Sequence, residues 1–194
     1  VATKSIQKNF KGILAQLFGL RGGSAKTSFY QANVVNKPID LVARGVATPD
    51  VNLNLDEASV PQDAVWKIFT PFVIRRLVTK GVPSVSAADF VTKRHPMALQ
   101  ALHEEMKDRP AMITRDPILH KYNIQGFFVK MNASPHDTTV HMNPLICKGM
   151  TADFDGDTIN VQLPASREAK EEIKEKMMPS SNLISERLMT PVFT

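Results

Sequence analysis

Apolar residues recur at helical spacing near the N-terminus, where Ile6, Phe10, Ile13, Leu14 and Leu17 form one stripe of a helix over 4–20, with Lys8 and Lys11 off it. Gly22-Gly23-Ser24 ends that helix and opens an irregular insert that runs to Pro38. From Asn33 to Val60, short apolar stretches broken by Gly, Pro and Asp predict strands and turns. Between Pro61 and Thr79 the pattern is helical again, and Pro71 inside it predicts a break or kink. Ser86 offers an N-cap for a short helix, and Pro96 a first-turn residue for another that reaches Lys107. Strands are predicted around Ala111–Thr114, Ile124–Met131 and Thr138–Met142, with Ser134-Pro135-His136-Asp137 as the turn between the last two. Thr158 to Pro164 alternates polar and apolar residues as a half-buried strand does. Ser166 caps a last helix, 167–178, whose many Glu and Lys define an exposed face. Short strands mixed with helices make this an α+β chain.

The densest chemistry is Asp153-Phe154-Asp155-Gly156-Asp157, just before that alternating strand. In an extended segment alternate side chains share a face, so Asp153, Asp155 and Asp157 can meet at one point. Three ionised carboxylates held together repel one another unless a cation sits among them. A pure oxygen donor set suits a hard ion, and three carboxylates leave room for waters and substrate phosphates, which favours Mg²⁺. A polar turn is the plainer alternative. A calcium loop is excluded, because counting from Asp153 its sixth and twelfth places hold Thr158 and Pro164 instead of Gly and Glu. The acids therefore sit on a tight loop entering a strand, a rigid mounting for a metal.

Composition narrows the setting. With 194 residues, 43% of them hydrophobic, the chain has enough apolar surface for a real core. A net charge of +5 permits a polyanionic partner without demanding one. The single cysteine, Cys147, excludes a disulfide framework and any multi-cysteine zinc site within the chain, and its neighbours Leu145 and Ile146 predict a buried, inert thiol. There is no apolar run of membrane-spanning length and no secretory h-region, so a cytoplasmic setting is expected. The first residue is Val, which suggests a piece of a larger protein.

Ala152-Asp153-Phe154-Asp155-Gly156-Asp157 resembles the metal-binding signature of the largest subunit (β′ in bacteria) of multisubunit RNA polymerases, and other landmarks agree in order. Arg115-Asp116-Pro117-Ile118-Leu119-His120 is similar to that family's Arg-x-Pro-Thr-Leu-His element, and Asp40-Leu41-Val42-Ala43-Arg44-Gly45-Val46 to its Asp-Phe-Ser-Ala-Arg-x-Val segment. Val60-Pro61, Thr70-Pro71-Phe72, Gln16-Leu17-Phe18-Gly19-Leu20-Arg21 and Ser180-Ser181-Asn182 also have counterparts. The resemblance implies a double-psi β-barrel over 33–164 with a helical insertion at about 61–110, preceded by a switch-like segment over 1–32 and followed by a helix and tail over 165–194. It implies that Asp153, Asp155 and Asp157 hold the catalytic Mg²⁺ and that Arg115 and Thr151 meet nucleotide or RNA. Lys8, Lys11, Arg21 and Arg44 fall where the family contacts the template. The reaction implied is nucleotidyl transfer from NTPs to an RNA 3′ end, with a β-type second barrel as partner and a DNA template and nascent RNA bound.

The chain departs from the family at informative places. Asn, which helps recognise the ribose, is replaced by Thr151, which keeps a hydroxyl but loses the amide's combined donor and acceptor. Weakly relaxed ribose selection is the expectation. Ile118 replaces Thr, Leu20 replaces Lys, and the 22–38 insert is extra. This divergence suggests a phage or viral polymerase, in host cytoplasm or virion. An RNA-templated two-barrel polymerase and a non-catalytic module that docks on polymerase or nucleic acid are the alternatives. The Arg-x-Pro-x-Leu-His element speaks against the first, and three retained acids against the second.

Overall fold

A computed structural model describes residues 2–18, 28–31, 40–184 and 191–193 of the chain, which divides into two compact units, 1–40 and 41–194. In the first unit, helix α1 spans Ala2–Leu17, and both Lys8 and Lys11 are exposed on it. Arg21 and most of the insert lie outside the described residues.

The second unit is built on six strands: β1 (Val42–Pro49), β2 (Glu57–Val60), β3 (Ala111–Arg115), β4 (Ile124–Met131), β5 (Val140–Met142) and β6 (Thr158–Gln162). They close into a barrel in the order β1-β5-β2-β4-β3-β6. Two pairs, β1 with β5 and β2 with β4, are parallel, and the others are antiparallel. Helices α2 (Gln62–Thr79), α3 (Ser84–Thr92) and α4 (Pro96–Asp108) are inserted between β2 and β3. Short α5 (Cys147–Met150) leads into the aspartate loop, and α6 (Arg167–Glu172) follows the barrel. This is the α+β, double-psi barrel architecture that the resemblance implies.

Alternation makes the barrel wall. Ile159 and Val161 on β6 are buried while Thr158, Asn160 and Gln162 remain half-exposed. Ala47, Ala58, Val60, Ile113, Phe127, Val129, Val140 and Met142 complete the buried interior from the other strands. Removing a fully buried ring such as Phe69 of α2 costs about 3–5 kcal/mol.

Several elements differ from the pattern reading. Helix α2 runs through Pro71 without breaking, because Val65, Phe69, Phe72, Val73 and Leu77 on both sides are buried against the same core. Helix α3 starts at Ser84 after Pro83, so Ser86 lies inside it and caps nothing. Strand β5 begins at Val140, two residues late, because the Asp137 carboxylate takes the Thr139 amide in a local turn. Ser166 does cap α6, accepting the Ala169 amide at 3.1 Å, but the helix widens into a π-turn over Ile173–Met177.

Candidate metal and nucleotide site on the aspartate loop

The loop is anchored at both ends. On its N-terminal side Ile146 and Met150 are fully buried around α5. Gly149 of that helix has no room for a side chain, since a Cβ there would collide with the ring of Phe193 and reach Val192 at 3.0 Å. Residues from the chain's tail thus clamp the loop's entrance. Thr151 then turns the backbone through a left-handed conformation, with φ 49° and ψ 37°. On the C-terminal side the Ala47 amide donates to the Asp157 carbonyl at 2.8 Å, extending the β1–β6 ladder that pairs Val46 with Thr158. Residues 154–156 form a tight turn, with Gly156 at φ 116°, a backbone region that side-chain-bearing residues avoid.

The segment is therefore turned, not extended. Asp153 accepts the Phe154 amide at 2.8 Å, and Asp157 accepts the Asp153 amide at 2.9 Å. Phe154 packs half-buried against the core. Asp155 is exposed at the tip and has no hydrogen-bond or ion-pair partner among the described residues. Those same residues contain no group of three His, Cys, Asp or Glu side chains drawn together to hold a metal ion.

The reason lies with Arg115. Antiparallel pairing sets Arg115 of β3 opposite Ile159 of β6. By alternation Arg115 follows Ile113, and Asp157 precedes Ile159, on the inward parity, so the two meet at the barrel mouth. Arg115 Nε lies 3.0 Å from Asp157 Oδ2 and Nη2 lies 3.3 Å from Oδ1, a two-pronged ion pair. The Asp153 amide, followed by Arg115, holds the Asp157 carboxyl below its ordinary range. The resemblance makes Arg115 a nucleotide ligand. In this structure it holds Asp157, which competes with any cation for that carboxylate.

The donor chemistry nonetheless suits a hard divalent ion. All three side chains offer carboxylate oxygen, one of them unengaged. The nearby Cys147 thiol is pushed above its ordinary range by burial and by the charge of Asp153, which keeps it protonated and removes the one soft donor.

Thr151, the other expected nucleotide ligand, is exposed at the loop entrance, and its Oγ1 accepts from Asn123 Nδ2 at 2.7 Å. Arg44, exposed on β1, reaches Thr158 Oγ1 through Nε at 3.2 Å and Nη2 at 2.7 Å. It thus braces the strand that leaves the loop. Asn160 likewise donates to Asp116 at 2.9 Å, tying β6 to the Arg115 segment. Asn123 is the residue that sequence reasoning passed over. Its signal is slight: one amide between Tyr122 and Ile124, ahead of an apolar strand.

A closed barrel of mixed pairing that displays an aspartate loop at its mouth places the chain among double-psi barrels. Comparison with known proteins gives the family. Residues 86–179 match the family described as RNA polymerase Rpb1, domain 2. The β′ subunit of DNA-directed RNA polymerase from Herpetosiphon aurantiacus is 34% identical over 171 residues, covering 87% of this chain and 11% of that protein. The corresponding protein of Chloroflexus aggregans is also 34% identical, with the same coverage. The γ subunit of DNA-directed RNA polymerase from Nostoc commune is 30% identical over 169 residues, covering 87% of this chain and 27% of that subunit. Over the region it spans, the chain belongs to the family of the largest subunits of multisubunit RNA polymerases. It spans about a ninth of the length of its β′ relatives.

Proposed function

We propose that this chain is the catalytic-metal barrel of a DNA-directed RNA polymerase, transferring nucleotides from NTPs to the 3′ end of RNA. The observation that carries this reading is Asp155: a carboxylate without a partner among the described residues, presented at the tip of a loop that is fixed at both ends, within a chain of this family. A surface aspartate kept only for solubility needs no such mounting. Nucleotidyl transfer forms a bond from the RNA 3′-oxygen to the α-phosphorus and breaks the bond to the leaving pyrophosphate. Mg²⁺, when bound, would lower the pKa of the attacking hydroxyl and neutralise charge on the triphosphate.

The chain's own part is to hold and orient. Asp153, Asp155 and Asp157 would hold the first ion, with Asp155 already open and Asp157 exchanging its Arg115 partner for it. Arg115, released, presents its planar fork to a phosphate or ribose oxygen. Thr151 offers its hydroxyl to the sugar of the incoming nucleotide. Lys8, Lys11 and Arg21 contact template phosphates in a salt-sensitive way, and Arg44 on β1 is a further template contact. The second ion's ligands and the β-type barrel come from a partner subunit, so the chain is inactive alone. No described helix is long and apolar enough to cross a membrane.

The test is RNA extension on a primed DNA scaffold by the polymerase assembled with full-length subunits, in Mg²⁺. Asp155→Ala should abolish extension while leaving assembly intact. Extension by the substituted enzyme at the normal rate would assign the chemistry to another chain.

A further inference from the structure

Asn123 ends a 3₁₀ turn, Lys121–Asn123, and its side chain is wholly buried. Its Oδ1 accepts the His120 amide at 3.2 Å, and its Nδ2 donates to the Met150 carbonyl at 2.7 Å and to Thr151 Oγ1 at 2.7 Å. Two of these partners are backbone groups whose roles are fixed. A backbone N–H can only donate and a carbonyl can only accept, so the amide has one orientation: Oδ1 toward His120 and Nδ2 toward Met150. The flipped amide would set donor against donor and acceptor against acceptor. The second hydrogen of Nδ2 therefore falls on Thr151 Oγ1, which must accept it.

This leaves the Thr151 hydroxyl hydrogen nowhere to go within the site. No other hydrogen bond among the described residues engages Thr151 Oγ1, and the residue is exposed at the entrance of the aspartate loop, in a left-handed conformation. We infer that Asn123 is the positioning residue that makes Thr151 a directed hydroxyl donor for the 2′-oxygen of an incoming ribonucleotide. The inference rests on the reading above, in which the loop performs nucleotidyl transfer with Thr151 at the sugar. A threonine hydroxyl on its own is a rotor that donates in one direction as readily as another. Locked from behind by a buried amide, it loses that freedom before the nucleotide arrives, so little entropy is lost on binding. The carboxamide missing from position 151 stands here behind the hydroxyl.

The assembled, full-length polymerase tests this by competition between ribonucleotides and 2′-deoxyribonucleotides, comparing wild type with Asn123→Asp, Asn123→Ala, Thr151→Val and the Asn123→Asp/Thr151→Val double variant. Asp at 123 still accepts the His120 amide but draws the Thr151 hydroxyl hydrogen inward. Each single variant should lower the ribo/deoxy ratio of kcat/KM by roughly five- to tenfold, the worth of one hydrogen bond. The loss should lie in the ribonucleotide KM, with deoxynucleotide incorporation unchanged. The double variant should lose no more than either single one, and Thr151→Ser, which keeps the hydroxyl, should retain the wild-type ratio. Additive losses, or an equal loss for both kinds of nucleotide, would show that Asn123 acts on the fold alone and overturn the inference. If neither Asn123 variant assembles, Thr151→Val decides, and an unchanged ratio overturns it. Failure of the underlying reading looks different, since Asp155→Ala would then still extend RNA.

Discussion

Two aspartate clusters on this barrel have opposite characters. At the β1–β5 seam, Asp137 Oδ1 accepts from the Thr139 amide at 2.9 Å and the Thr139 hydroxyl at 2.7 Å, and Oδ2 lies 2.6 Å from His141 Nε2. The His141 Nδ1 in turn meets Thr48 Oγ1 at 3.0 Å. The Thr139 hydroxyl, then its amide, then His141, bring the Asp137 carboxyl down to about 2. Both oxygens of that carboxylate are engaged from within the fold. On the loop, Asp155 has no partner among the described residues, and Asp157 is held only by the Asp153 amide and Arg115 there. A saturated carboxylate stabilises a structure, and an unsaturated one on a rigid mount is available to a ligand. The distinction is one of hydrogen-bond accounting; both are polar turns in sequence.

Substitutions sharpen this contrast. The largest effect on function belongs to Asp155→Ala, which should eliminate RNA extension by the assembled polymerase while shifting stability by no more than about 0.5 kcal/mol, as expected for an exposed residue without partners. The converse holds for Asp137→Ala. Losing its hydrogen bonds should cost about 1–3 kcal/mol in denaturant unfolding and leave extension per folded molecule near normal. If both substitutions behaved alike, the contrast would be broken.

The Asp137 cluster also has a pH signature. Its folded pKa of about 2 lies below the ordinary 3.8, so its stabilisation is fully present above the ordinary value and is lost as pH falls from there through about 2. Asp137→Asn should flatten the acid loss of stability in that window, measured by thermal unfolding against pH. Gly156→Ala comes next. Nothing lies within 4 Å of its Cβ position, so the cost is the φ of 116° alone, about 1–3 kcal/mol of strain. It should appear mainly as slower extension, because the strain falls on the loop. Arg115→Lys is the smallest change. It keeps the charge but loses the paired fork, and should raise the NTP KM roughly tenfold, about 1.4 kcal/mol.

Sequence made part of this legible. The alternation of Thr158 to Gln162 announced β6, and the spacing of Asp153, Asp155 and Asp157 announced a loop beside it, because both signals are local. Pro71 does not end α2, since the burial of Phe69 and Phe72 on either side of it is a property of the folded core. The π-turn at Ile173 was invisible for a similar reason: Ile173 sits over Gly126, where a Cβ would come within 2.5 Å of its side chain. The site's inner partners were equally out of reach. Arg115 finds Asp157 across 42 positions, and Asn123 finds Thr151 across 28, through strand register that no local pattern encodes.

The most direct measurement of the central claim is Mn²⁺ binding, followed by electron paramagnetic resonance, in the assembled polymerase carrying Asp155→Ala or Asp137→Ala. Loss of one bound ion with Asp155→Ala and full retention with Asp137→Ala is the predicted result. Retention of every ion with Asp155→Ala would mean that the open carboxylate is not a metal ligand, and that this barrel does not carry the catalytic ion on its aspartate loop.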